Sequence, residues 1–327
     1  MFLYSFILVS NKLYHKYCQN EVRKVNLTKV KGNTFFIKGG TNTGIYVFED
    51  NTALMIDPGL CGSRPRRVNK VLDENNIQVR YIINTHGHDD HYGACNQFKE
   101  YYKDVCIMSS EYDKLYIENP ELFSKYIVGG KSNVFMDNIL KNKMLDDIKI
   151  DKSIEVGKIE LNNEMFDIIE FQGHTPGSIA VLTKDNVIFV GDLLIGDEIL
   201  SKYDFLFLYD IQEQINSLEK LKNIDFEYLV LGHGKQVISK EDSYKLIEKH
   251  LNALKKYLYQ IRELLVEPKS LEILLKNIIN NNNLSNNYKE YHFFKSSLVS
   301  VISYLVDLEE IGYILENGEL LYYTKTK

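Results

Sequence analysis

No stretch of this 327-residue chain is both long and apolar enough to cross a bilayer as a helix, which takes about 20 such residues. The apolar opening, Met1-Phe-Leu-Tyr-Ser-Phe-Ile-Leu-Val-Ser10, is too short. It also lacks the basic flank and small-residue cleavage site of an export signal. Residues 1–24 therefore read as an N-terminal extension, either a strand or a loose segment. Cysteine is scarce. Cys18, Cys61, Cys95 and Cys106 form no C-x-x-C pair and no regular framework, which excludes a disulfide scaffold and fits a reducing, cytoplasmic setting. Positive charge is not in excess. The net charge of −6 excludes a protein built mainly to coat nucleic acid or an acidic membrane. No Ser-His-Asp arrangement is evident, so nothing suggests a side-chain nucleophile.

Histidine is present where it matters. Three imidazoles and a carboxylate, His86, His88, Asp90 and His91, crowd into Thr85-His-Gly-His-Asp-Asp-His91. The stretch follows an apolar run, Val79-Arg80-Tyr81-Ile82-Ile83-Asn84, that reads as a buried strand. Groups packed this closely repel or desolvate one another unless a cation neutralises them. Three further candidates follow downstream. His174 lies in Gln172-Gly-His-Thr-Pro-Gly-Ser178, Asp192 ends the apolar run Phe189-Val-Gly-Asp192, and His233 lies in Tyr228-Leu-Val-Leu-Gly-His-Gly234. Each follows a short β-type run, with glycine beside it to let the backbone turn. Imidazole nitrogen and carboxylate oxygen suit zinc and related ions. Taken singly, His174 or His233 could be a turn residue and Asp192 a helix cap. Asp57, in Met55-Ile-Asp-Pro-Gly59, is either a turn former or an acceptor supporting a ligand from behind. Asp89 reads as a solvated loop residue, and His15, His250 and His292 as surface or core-edge residues.

In these motifs the chain resembles the metallo-β-lactamase superfamily. H-x-H-x-D-H is present as His86, His88, Asp90 and His91, with His174, Asp192 and His233 following in the family's order over roughly residues 25–240. The resemblance implies an αββα sandwich, in class α+β, with the site along one edge of the two sheets. It implies two divalent metal ions, zinc foremost, with iron or manganese as alternatives. One would take His86, His88 and His174, the other Asp90, His91 and His233, with Asp192 bridging. Asp57 would support the ligands.

Other segments organise around this unit. Residues 111–147 read as an insertion rich in aromatics, either surface decoration or a lid over the site. Strands are expected at Thr34–Lys38, Ile45–Phe48 and Ala53–Ile56, and helices over Arg66–Glu74 and His91–Tyr102. From residue 241 the pattern becomes helical. Glu241–Leu265, a helix opened by Pro268 and Ser270, and Lys295–Ile311 precede a hairpin around Glu316-Asn-Gly-Glu319. The Asn-rich stretch from 280 to 287 between them reads as a flexible loop. Three helices and a hairpin resemble a winged-helix domain over residues 241–327. That segment carries 11 Lys and Arg against 12 Asp and Glu, which favours a structural or dimer-forming role over nucleic-acid binding.

The expected chemistry is metal-dependent hydrolysis of an ester, thioester or lactone in a small molecule by a hydroxide held between two ions, with Asp90 orienting it. A single-strand ribonuclease or phosphodiesterase and a mononuclear-iron sulfur dioxygenase are the alternatives.

Overall fold

The computed structural model describes residues 25–140, 148–234 and 237–325. The 1–24 extension and the end of the 111–147 insertion lie outside them.

Alternation along the strands builds two stacked sheets. The first has β1 (Leu27–Lys31), β2 (Thr34–Ile37), β3 (Thr43–Val47), β4 (Thr52–Ile56), β5 (Gln78–Ile83), β6 (Cys106–Ser110) and β7 (Lys152–Ile154) in that order. Its first four strands are antiparallel; β4 through β7 are parallel. The second sheet holds β8 (Gly157–Leu161), β9 (Glu164–Glu170), β10 (Ile179–Leu182), β11 (Val187–Phe189), β12 (Tyr228–Val230) and β13 (Val237–Ser239), also in sequence order. Here β11 and β12 are the parallel pair.

Residues two apart share a face of a strand. Leu54 and Ile56 of β4 accordingly join Phe166, Ile168, Val181 and Phe189 between the sheets, whereas Met55 faces outward onto Val68, Leu72 and Phe98. On the second sheet Ala180, Ile188 and Leu229 point outward under the helices Ile211–Lys222 and Lys240–Leu264. The result is the expected αββα layering.

The outer cluster continues across residue 240. It takes in Leu246, Ile247, Leu251 and Ile261 of the long helix, Leu274 and Ile278 of helix Leu271–Asn281, and Leu298, Val301 and Leu305 of helix Tyr288–Asp307. A third small sheet, ordered β14 (Lys269–Ser270), β16 (Glu319–Thr324), β15 (Ile311–Glu316), closes the chain. Asn317 and Gly318 turn it with φ of 49° and 83°, the left-handed values a two-residue hairpin requires.

Three local expectations need correction. The helix over His91–Tyr102 is broken into Asp89–Tyr92 and Cys95–Tyr101. The cause is Gly59, whose N–H donates to His91 O at 2.8 Å and whose carbonyl accepts from Ala94 N at 2.8 Å. These bonds take up groups that would otherwise continue the helix. The third C-terminal helix begins at Tyr288, seven residues before Lys295. Asn287, read as part of a flexible loop, is its N-cap and accepts from Glu290 N at 3.0 Å. Asp89 is partly buried at the start of a helical turn rather than a solvated loop residue, and burial together with Asp90 raises its carboxyl to about 6.

Candidate metal centre

All eight side chains singled out for the site leave the C-terminal ends of strands. Asp57 follows β4, the His86–His91 cluster follows β5, His174 lies between β9 and β10, Asp192 follows β11 and His233 follows β12. These ends meet along one edge of the sandwich because the sheets are tied there. Ile179 N donates to Thr85 O at 2.9 Å, and Asn42 N donates to Gly232 O at 2.8 Å. Glycine makes the approach possible. A Cβ on Gly232 would stand 2.6 Å from Asp192 Oδ1, and one on Gly191, whose φ is +53°, would stand 2.5 Å from Thr85 Oγ1.

The structure brings all seven expected ligands together. Donor atoms of His86, His88 and His174 lie within 4.8 Å of one another, as do those of Asp90, His91 and His233, and those of His86, His91 and Asp192. His88 Nδ1 is 3.1 Å from His86 Nε2 and 2.9 Å from His174 Nε2. His91 Nε2 is 3.2 Å from His233 Nε2. Asp192 spans both groups, with Oδ1 3.2 Å from His91 Nε2 and Oδ2 3.6 Å from His174 Nε2 and 3.4 Å from His233 Nε2. Asp90 Oδ2 is 3.1 Å from His233 Nε2.

Hydrogen bonds behind the rings test whether this set fits cations. His174 Nδ1 lies 3.1 Å from Phe207 O, and His233 Nδ1 lies 2.7 Å from Gly40 O. A carbonyl oxygen only accepts, so each of those nitrogens carries the proton. His91 Nδ1 donates in the same way to Asp57 Oδ2 at 2.8 Å. Asp57 also accepts from Thr85 N and from Thr85 Oγ1, each at 2.7 Å. The Thr85 hydroxyl has thereby spent its hydrogen, so it accepts from His86 Nδ1 at 3.1 Å. With these four rings neutral, each inward Nε2 would be a bare lone pair. Several lone pairs at about 3 Å repel unless a positive charge sits among them. Asp192 Oδ1 is a buried oxygen with no hydrogen-bond partner. Outer hydrogen bonds that fix the tautomer are a regular feature of metal-binding histidines. The donor set fits two cations.

The electrostatics agree. Burial drives His86, His88 and His174 below the ordinary imidazole range, His88 to about 3. Burial also opposes charge on His91 and His233, but the carboxylates of Asp192, with Asp57 and Asp90 for His91 and Asp90 for His233, outweigh it and raise them to about 10 and about 12. Asp90 and Asp192 go down despite their own burial, because the same imidazoles face them. A cluster that must otherwise import protons for neutrality is built for positive charge.

One feature was not foreseen. Asp113, at the start of the insertion, is buried beneath the ligand loops, where its Oδ2 accepts from Thr175 Oγ1 at 2.8 Å. Nothing in the sequence separates it from an ordinary first-turn aspartate; its one signal is its place directly after β6. The insertion, expected as either surface decoration or a lid, contributes to an aromatic wall beside the site. Phe123 of the insertion stacks 4.9 Å from His88, and Phe207 lies 5.8 Å from His88 and 6.0 Å from His174. Phe293, from the C-terminal helix, packs 4.8 Å from Phe207. His250, read as surface or core-edge, is fully paired in the core, to Leu246 O at 2.9 Å and Ile195 N at 3.1 Å.

Comparison with known proteins yields a family model described as "Metallo-beta-lactamase superfamily", matched over residues 37–233. The hydroxyacylglutathione hydrolase GloC of Haemophilus influenzae is 30% identical over 190 residues, covering 57% of this chain and 82% of that protein. Hydroxyacylglutathione hydrolase 1 of Vibrio vulnificus is 26% identical over 182 residues, covering 55% of this chain and 56% of its own length. Among solved structures, a beta-lactamase domain protein from Burkholderia ambifaria superposes with a TM-score of 0.71 at 14% identity, over 94% of this chain and 96% of that one. At that identity it speaks to the fold alone.

Proposed function

The chain belongs to the metallo-beta-lactamase superfamily, and from that premise we propose that it is a hydrolase using two divalent cations, zinc foremost, to cleave a thioester, ester or lactone bond in a small molecule. The observation that carries this reading is the convergence of seven ligand-type side chains, with the outer nitrogens of His86, His91, His174 and His233 already committed to acceptors. His86, His88 and His174 would hold one ion, Asp90, His91 and His233 the other, and Asp192 would bridge them. When bound, such a pair lowers the pKa of water from about 15.7 towards about 7 and polarises the oxygen of the scissile group.

The remaining tasks fall to the chain. Asp57, Phe207 O and Gly40 O keep the protons of His91, His174 and His233 on the outer nitrogens, so the inner ones stay available. Asp90 stands where it can hold a proton from the attacking water; its Oδ2 also accepts from Thr41 Oγ1 at 3.4 Å. Phe123, Phe207 and Phe293 pack on one another beside His88 and His174 and give that side of the site an apolar wall, which strengthens the charge interactions next to it.

The surroundings favour a small, largely uncharged substrate over a polynucleotide. Among the described residues lining the clefts that open onto His88 and His174, Lys289 is the sole Lys or Arg. A path for a phosphate backbone needs several. The names of the curated relatives make thioesters the first bond to try.

The test joins elemental analysis of the native protein to a panel of thioester, lactone and phosphodiester substrates. About two metal ions per chain and thioester or lactone turnover are expected. His88→Ala and Asp192→Ala should each abolish turnover while keeping the folded circular-dichroism signal. Activity confined to phosphodiesters, or full activity in either variant, overturns the reading.

A further inference from the structure

Beside the ligands lies an apolar cleft that the hydrolytic chemistry does not use. It opens at His174 and Asp192 and runs between the segment after Asp192 and the C-terminal helix Tyr288–Asp307, enclosing about 860 Å³ of space open to solvent. Ile195, Ile199, Leu206, Phe207 and Phe293 form much of its wall, each only partly buried. Tyr203 stands at the wall 52% exposed. Apolar side chains left in contact with water normally find cover in the core or in a partner. Here they are held open by polar bonds. Leu208 N donates to Ser297 Oγ at 3.1 Å and Ile211 N to Ser300 Oγ at 2.8 Å, fixing the 206–211 segment on the C-terminal helix. Ile195 N donates to His250 Nε2 at 3.1 Å and fixes the opposite wall. The cleft is therefore a groove with hydrogen-bonded walls, continuous with the proposed metal ligands at one end. Besides Asp192 at its mouth, its charged members are Lys289 and Glu290, from one turn of the C-terminal helix; the Lys289 ammonium lies 5.3 Å from the centre of the Phe293 ring.

We propose that this cleft is the acyl subsite: it takes the apolar aliphatic or aromatic substituent of the substrate, whose carbonyl end lies at the ligands. The inference rests on the hydrolase reading for its substrate and deepens it, from any small thioester, ester or lactone to those with an extended apolar acyl group. A short polar acyl group leaves the groove filled with water and gains nothing from it. An acyl chain of several carbons removes both its own surface and the five half-buried walls from water.

The experiment uses the metal-loaded full chain and two independent readouts. The first is binding of acetate, butyrate, hexanoate and octanoate by calorimetry, which needs no turnover. Affinity is expected to rise about two- to fourfold per added methylene. Ile199→Trp, which fills the groove, and Phe293→Ala, which opens its wall, should each reduce the octanoate-to-acetate ratio at least fivefold. The second readout is kcat/KM for acetyl and octanoyl thioesters of one thiol, where the octanoyl preference should fall in the same variants. Equal affinity for all four carboxylates, or a chain-length gain that survives Ile199→Trp with its melting temperature intact, overturns the proposal. Chain-length-dependent binding with no thioester, ester or lactone hydrolysed would leave the subsite standing and remove the hydrolase reading instead.

Discussion

Replacing Asp57 by Asn should disable metal binding through a change of tautomer, without touching a ligand. Asp57 sits at φ +53°, a conformation Asn tolerates as well as Asp does. Its Oδ1 faces Thr85 N, which can only donate, so an Asn must keep its oxygen there and turn its NH₂ to the Oδ2 side. That NH₂ then meets two groups that now donate to Oδ2, His91 Nδ1–H at 2.8 Å and the Thr85 hydroxyl at 2.7 Å. Both must reverse. His91 shifts its proton to Nε2, aimed at His233 and Asp192. Thr85 accepts from the amide and donates to His86 Nδ1, which puts a proton on His86 Nε2, aimed at His88. One atom thus misprotonates a ligand in each proposed metal group. Losing such an outer partner costs about 10–100-fold in metal affinity, or about 1.4–2.8 kcal/mol at 1.4 kcal/mol per tenfold, and here two ligands share the loss. Competitive titration of the metal-free variant against a chelator measures it directly. Affinity within twofold of the wild type for both ions would refute the reasoning.

Asp113 provides a pH test outside the ligand set. Burial raises its carboxyl to about 7, with the Thr175 hydroxyl and the Gly87 amide pulling back only part of the way. The folded pKa lies above the unfolded value of about 3.9, so the folded protein binds the extra proton between them. Its contribution to stability is full below about pH 4 and falls as pH rises towards 7. Asp113→Asn removes this term. In urea unfolding of metal-free protein, the variant should gain on the wild type by on the order of 2 kcal/mol between pH 5 and pH 7.5; parallel profiles would contradict it. Removal of residues 241–327 should yield insoluble protein. It strips Ile247, Leu251 and Ile261 from the cluster under Ile188 and Leu229 and leaves Leu208 N and Ile211 N without acceptors. Each buried Leu or Ile contributes about 1.5–3 kcal/mol. A soluble truncation with wild-type melting would show that these helices are dispensable to the fold.

The seven clustered side chains proposed as ligands were legible because local sequence carries them. Apolar runs that end in His or Asp mark strand ends, and parallel strands deliver those ends to one edge. The aromatic wall was not legible as a unit. Phe123, Phe207 and Phe293 come from three segments, and each alone looks like any partly exposed aromatic. Asp113 was missed for the opposite reason, since an aspartate in the first turn of a helix is ordinary and only its burial under Thr175 distinguishes it. The break at Gly93–Ala94 depends on Gly59, more than thirty residues earlier, a partner that helical periodicity does not register. Asn287 was taken for loop because asparagine-rich stretches favour turns; its role as a cap becomes visible only once the helix after it is seen.

The central claim is that two cations sit among these side chains. Anomalous diffraction from crystals grown in zinc tests it most directly. Two peaks about 3.5–4 Å apart are expected, one within reach of His86, His88 and His174, the other of Asp90, His91 and His233, with Asp192 between them. A single peak, or zinc bound elsewhere with these seven side chains left facing one another, would contradict the account.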